Sequence, residues 1–373
     1  MTNLSGNPVQ AASREDIRRA IVRKLNVLFF IAVSVGLTTQ AAAGPVVREA
    51  TGANAAAIQA AVDQFRTDLG NPNNGNAAGS QAGGRREINW DGGGAAANAT
   101  QFPIPMTTFA NRGSVFFTPG SGFEISGQPT PEFGDINGNY PNYFAAFSSP
   151  RLFTALNSNV TDVYFFVPGD GSIPAAVTGF GSVFTDVDSA TSTKMEFYAP
   201  DGALIYERYV LATPGTETMS FLGVSFTTEL VARVRIISGN AAPGPDEAGA
   251  LDIAVMDDFL FGEPVSTAGL TIAPATGKLF QRGGFDIVVG LQAAAGVAVT
   301  GGSVKLDGAD VTAAFASCIQ VGRITGGGQT FRCAAPRGFL SAGDHVLQVE
   351  FNLSNSTRVR NAVRWTIIAG TEP

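Results

Sequence analysis

Gly179–Gly202, GFGSVFTDVDSATSTKMEFYAPDG, is the stretch on which the reading of the fold turns. Phe180, Ser182 and Phe184 alternate with Gly179, Gly181 and Val183. Successive side chains of an extended chain point to opposite faces, so the pattern predicts an inner strand that packs on both sides. Asp186 and Asp188 follow at a spacing of two, which in extended backbone puts both on one face. Met195 and Phe197 share one face of the next predicted strand, and Pro200-Asp201-Gly202 turns the chain back. Two strands, an acidic loop and a tight turn belong to an antiparallel sheet.

Outward from this unit the same pattern repeats. Strands are predicted at Ser114–Phe117, Gly122–Ser126, Asp162–Val167, Leu204–Leu211, Met219–Phe226 and Leu230–Ile237. A last strand, Leu251–Phe261, is expected to carry Leu251, Ile253, Val255, Asp257, Phe259 and Phe261 on a single face. One helix is predicted, over Ala53–Leu69, where Ile58, Val62, Phe65 and Leu69 form an apolar stripe and Gly70 is a C-cap. The Asn-, Gly- and Ala-rich stretch Asn71–Gly84 has little to bury and is expected to be mobile. Gly262-Glu263-Pro264 reads as the start of a linker, and strands predicted from Phe285 to Ile368 form a second unit. The fold class is therefore all-β. Residues 44–264 are expected to form a jelly-roll-like antiparallel sandwich with one short helix, and residues 265–373 a smaller immunoglobulin-like sandwich.

Met1–Ala43 is ordered like a signal peptide: a basic stretch ending at Arg23-Lys24, an apolar run from Val27 to Leu37, then Ala41-Ala42-Ala43. An uncleaved N-terminal anchor is the alternative. The run is short for a membrane span, and no second long apolar stretch follows. The chain carries a formal charge of −7, and removing the +3 of this segment leaves −10. Such a surface repels phosphate backbones, which argues against nucleic acid as a partner.

The supply of chemical groups is narrow. A single histidine, His345, and two cysteines exclude most imidazole mechanisms and every Cys-rich zinc site. Cys318 and Cys333 flank a Gly-rich turn and are expected to form a disulfide in an exported chain. His345 reads as an exposed turn residue. Asp257 is the most informative carboxylate, because a buried charge needs a partner or a cation. Asp258 takes its place if the register slips by one. Asp186, Asp188, Asp135 and Asn137 could complete a Ca²⁺ shell if the fold brings them near. The alternative is pairing of Asp257 with an arginine such as Arg112 or Arg151.

Glu87–Gly92, Ser149–Thr154, Gly179–Asp188 and Val255–Phe259 together resemble a family of exported bacterial proteins of unknown function. That resemblance covers most of residues 45–264 and implies no activity. Asp257-Asp258-Phe259 resembles the last strand of jelly-roll carbohydrate-binding modules, which implies an acidic residue helping to hold a structural calcium ion. Lys305–Gly308 and Gly343–Leu347 resemble bacterial immunoglobulin-like modules, which implies a spacer or adhesion unit. The expected function is thus an exported, non-enzymatic binding protein in the periplasm, the medium or on the cell surface. Carbohydrate is the leading ligand, in a groove lined by Trp90, Tyr140 or Tyr143. A structural or adhesive protein with a protein partner is the second reading, and a secreted polysaccharide hydrolase the third.

Overall fold

The computed structural model describes residues 44–368, except 229, 248, 281–284, 294–296, 316–321, 324–327 and 336–339. The predicted signal segment and the Cys318–Cys333 pair therefore fall outside the described residues, since only the backbone of Cys333 is described.

Strand β1 (Val46–Gly52) leads into helix α1 (Ala55–Leu69). The Asn54 side chain accepts from the amide of Ala57, and Gly70, at φ 100°, ends the helix by donating to the carbonyls of Arg66 and Thr67. The predicted stripe Ile58, Val62, Phe65 and Leu69 is the buried face. Short strands follow: β2 (Arg85–Ile88), β3 (Thr100–Phe102), β4 (Ser114–Phe117), β5 (Gly122–Ile125), β6 (Phe153–Leu156), β7 (Val160–Phe165) and β8 (Ala175–Ala176). Then come β9 (Gly179–Thr185), β10 (Lys194–Tyr198), β11 (Leu204–Tyr209), β12 (Met219–Ser225), β13 (Arg233–Ile237) and β14 (Val255–Gly262).

These strands build an antiparallel β-sandwich. One sheet runs β1-β12-β9-β14-β6-β5-β3, with β2 also on β14, and the other runs β11-β10-β13-β7-β4. Phe180, Phe184, Leu222, Phe259 and Phe261 of the first sheet meet Phe116, Val163, Phe197 and Val234 of the second in the main core. Helix α1 covers the outer face of the first sheet, where its stripe packs on Val183, Met219, Phe221 and Leu260. β9 is thus buried on both faces, as its sequence pattern predicts. Gly181 and Gly223 pair across β9 and β12 under the ring of Phe65. A Cβ on either would stand 2.7 or 2.6 Å from that ring, so the helix can approach only because both positions are glycine.

The expected mobility of Asn71–Gly84 is not what the structure shows. Arg86, with no exposure, forms a two-pronged ion pair with Glu263 and also donates to the carbonyls of Gly75, Gly79 and Asn111. Glu263 in turn accepts from Asn74 Nδ2 and the Gln81 amide. The stretch lacks apolar anchors, but a buried ion pair supplies partners for its backbone.

The predicted linker is equally enclosed: Glu263 is buried, and β15 (Val265–Ser266) pairs with β8. The second unit continues with β16 (Leu270–Ala273), β17 (Gly277–Phe280), β18 (Phe285–Gln292), β19 (Ala298–Leu306), β20 (Ala309–Asp310), β21 (Gly322–Arg323), β22 (Gly328–Ala335), β23 (Gly343–Leu353) and β24 (Arg358–Ile368). One sheet runs β20-β19-β23-β24-β15-β8 with β17 and β21 at its sides, and the other runs β16-β18-β22. Ile287, Val289, Leu347, Phe351 and Trp365 lie in the core of this second sandwich.

Candidate functional site

The predicted last strand does not alternate as expected. Met256 lies opposite Phe184 and Phe259 opposite Ser182, so Asp257 and Asp258 together face the single residue Val183. This is a β-bulge, and it reverses the alternation. Ile253 and Val255 consequently pack with Tyr140 and Phe144 in an outer cluster, whereas Phe259 and Phe261 lie in the main core. The expectation that all of them share one face with Asp257 is corrected by that extra residue.

The bulge sets what surrounds it. The Asp257 carbonyl accepts from Trp90 Nε1 at 3.0 Å. Asp257 Oδ2 accepts the amides of Phe147 (2.6 Å) and Ser148 (3.0 Å), and Oδ1 accepts from Ser148 Oγ at 3.3 Å. Asp258 Oδ1 accepts from Ser148 Oγ at 2.5 Å, and Oδ2 meets Arg66 Nη2 of α1 at 3.4 Å. Burial, and then the charge of Asp258, push the Asp257 carboxyl well up, while the two amides pull the other way. Burial likewise pushes Asp258 up to about 6, against Ser148 and Arg66. The expected arginine partners are elsewhere. Arg151 donates to the carbonyls of Gly92, Asn98 and Ser126, and Arg112 to that of Glu87.

The expected calcium shell is not assembled from Asp257, Asp258, Asp186, Asp188 and Asp135. They occupy three places, because the bulge turns Asp257 toward the amides of Phe147 and Ser148. Asp135 is exposed and lies beside Glu124, whose carboxyl burial pushes up to about 6. Asn137 spends Nδ2 on the Gly244 carbonyl and Asp246, and Oδ1 on the Asn139 amide, so its loop is a brace. Asp186 and Asp188 meet Glu247 instead. Among the described residues these three are the one set whose ligand oxygens lie within 4.8 Å of one another. The sequence reading missed Glu247, which sits in a Gly- and Pro-rich loop with no local pattern around it.

The aromatic groove is also corrected. Trp90 stacks on Phe153 with centroids 3.9 Å apart and belongs to the main core. Tyr140 is fully buried, and its hydroxyl donates to the Pro245 carbonyl while accepting from the Gly244 amide. Tyr143 is half-buried beside it. Exposed aromatic surface lies on the outer face of the second sheet, where Arg233 sits over the rings of Tyr198 (3.7 Å) and Tyr164 (5.8 Å). Strand alternation could have placed Tyr164 and Arg233 on outer faces, but only the pairing of β13 with β7 sets them opposite each other.

His345 is not an exposed turn residue. It is buried, with Nδ1 at 2.6 Å from Asp307 Oδ2 and Nε2 at 3.0 Å from the Ser341 carbonyl. Ser341 Oγ is farther from Nε2, at 3.3 Å. The carbonyl occupies the nitrogen that a nucleophilic serine would need, so the trio braces a turn.

What the fold leaves open near the bulge is a cleft of about 390 Å³. Arg66 and Glu87, Asn73 and Asn89, Arg112 and Asp258 line it, with Ser148 at its edge. Guanidinium and amide donors there face carboxylate acceptors, so the cleft can both donate to and accept from a ligand. Glu87 is bound to Arg66 at 3.1 Å and Arg85 at 2.6 Å.

No family model and no curated protein matches the sequence. Among solved structures, a Jonesia denitrificans lytic polysaccharide monooxygenase is 16% identical, over 26% of this chain and 58% of that one, with a TM-score of 0.17. Fibronectin(III)-like modules of Clostridium thermocellum CbhA are 10% identical, over 57% and 87%, with a TM-score of 0.18. The N-terminal domain of a Streptococcus gordonii adhesin is 8% identical, over 78% and 90%, with a TM-score of 0.18. The chain thus spans less than two thirds of the first of these, and the likeness concerns β-sandwich form alone.

Proposed function

We propose that this chain is an exported, non-enzymatic binding protein whose first sandwich takes a carbohydrate in the cleft between α1 and the Asp257–Asp258 bulge. The order of Met1–Ala43 supports export, to the periplasm, the medium or the cell surface. The observation that carries the reading is the cleft of about 390 Å³ in which Arg66, Arg112, Asn73 and Asn89 face Glu87 and Asp258. Sugar hydroxyls both donate and accept, and such a mixed lining suits them. Glu87 in the cleft is held by Arg66 and Arg85, which favours hydrogen bonding over acid–base chemistry at that carboxylate. The second sandwich then presents the first.

A glycan array with the full chain tests this. Reproducible binding to one class of glycan is expected, weakened about tenfold by Asn89→Ala or Asn73→Ala, each removing one exposed hydrogen-bonding group. An empty array, or binding that neither change affects, overturns it. An adhesive protein with a protein partner is the second reading. The edge strand β11, with Leu204 and Tyr209 about half exposed, favours it. Capture of a protein partner that Leu204→Lys abolishes, with a silent array, selects that reading.

A further inference from the structure

Asp186 follows β9 in left-handed backbone, at φ 65°, and is 1% exposed. Neither of its side-chain oxygens receives a hydrogen bond. A buried carboxylate without donors is costly, and native structures seldom keep one without a counter-charge. The charges acting most strongly on it are those of Glu247, Asp188 and Asp252, all negative. Burial first, and these neighbours next, push its carboxyl up to about 9.

The neighbours are held in place. Asp188 Oδ1 accepts the amide of Gly215 at 2.7 Å, and Glu247 Oε1 accepts the amide of Ile253 at 2.5 Å. Each keeps a second oxygen for another partner. Asp252 has none to spare, because it accepts from the amides of Asp188 and Ser189 and from Ser192 Oγ. It fixes the loop that carries Asp188.

We propose that Asp186, Asp188 and Glu247 form a binding site for one divalent cation, with Ca²⁺ the ion that fits. An all-oxygen carboxylate set suits a hard cation. Two oxygens on one Ca²⁺ lie at most about 5 Å apart, from metal–oxygen distances of 2.3–2.6 Å. The three carboxylates meet that limit, with their oxygens within 4.8 Å of one another. The ion offsets two of the cluster's three negative charges and ties the loop after β9 to the loop that carries Glu247. None of these three residues lines the cleft, so the inference stands apart from the carbohydrate reading. Its rival is a proton held between Asp186 and Glu247.

The test uses the full chain, stripped with a chelator and assayed at pH 7.5 by calorimetric titration and thermal melting, with CaCl₂ and MgCl₂ in parallel. One Ca²⁺ per chain is expected to bind. At a hundredfold excess over Kd the melting temperature should rise on the order of 5 °C. Asp186→Asn and, independently, Glu247→Gln should abolish the rise, while Asp257→Asn should keep it. Two variants guard against a fold lost in one of them. Stripped wild type that binds no Ca²⁺ and melts identically with and without it overturns the proposal in favour of the shared proton. A Ca²⁺ response that survives both substitutions overturns it by placing the ion elsewhere.

Discussion

Asp257 and Asp186 are the same residue type at neighbouring strands of one sheet, both out of reach of solvent, and the fold treats them oppositely. Around Asp257 the bulge aims a carboxylate at two amides and a serine hydroxyl. Around Asp186 the loops supply no donor and add two further carboxylates. The difference teaches that burial of an acid is not by itself a sign of a bound ion. What matters is whether the surrounding backbone supplies donors. Glu263 is a third case, held by a guanidinium as buried as itself.

Substitutions can break this comparison, and the largest effect belongs to the guanidinium case. Glu263→Ala leaves Arg86 charged and buried, and removes the acceptor of Asn74 and Gln81. A loss of about 3–5 kcal/mol of unfolding free energy is expected in urea titrations. Asp257→Ala orphans the Phe147 and Ser148 amides and should cost about 2–3 kcal/mol, with or without calcium. Asp186→Asn has the opposite sign. In chelated buffer at neutral pH a carboxyl pushed up to about 9 must take up a proton on folding, a cost that asparagine does not carry, and unfolding free energy should increase by on the order of 2 kcal/mol. A destabilised Asp186→Asn in chelator would mean that the carboxylate has a donor after all, and the contrast would collapse.

Smaller effects sharpen the contrast. Asp258 has a folded-state pKa of about 6, above the usual carboxylate value. The folded state therefore binds its proton more tightly than the unfolded state does. The stability this contributes is present below about pH 4 and is lost as pH rises through 6. Urea titrations from pH 4 to 7 should show a decline on the order of 1 kcal/mol in wild type beyond that of Asp258→Asn. Parallel curves for the two proteins would contradict the assignment. The smallest effect is expected at Glu49, whose carboxylate pairs with the partly exposed Arg208 at 2.6 Å. Glu49→Gln should change stability by about 0.5 kcal/mol, setting the scale for an acid that water can still reach.

How much of this was legible in the sequence depends on the reach of the signal. The α1 stripe and the two-faced β9 are local periodicities, and the structure carries them as read. Asn71–Gly84 misled because its composition says nothing of a partner 177 residues from Arg86. The site residues misled for a similar reason. Trp90 looks like a binding aromatic until Phe153 stacks on it, and Glu247 looks like loop solvent cover until Asp186 faces it.

The sequence by itself determined the all-β class, the helix over Ala55–Leu69 and its buried face. Those follow from side-chain alternation and a 3.6-residue period, which act between neighbours in the chain. It also put acids where a cation could matter. Only the tertiary structure decided which acids meet. One extra residue at Asp257–Asp258 reverses the strand's faces, and a bulge depends on the partner strand rather than on the bulged residues alone. Only the fold could decide that Asp257 receives amides while Asp186 receives Glu247, because hydrogen-bond donors arrive from loops distant in sequence.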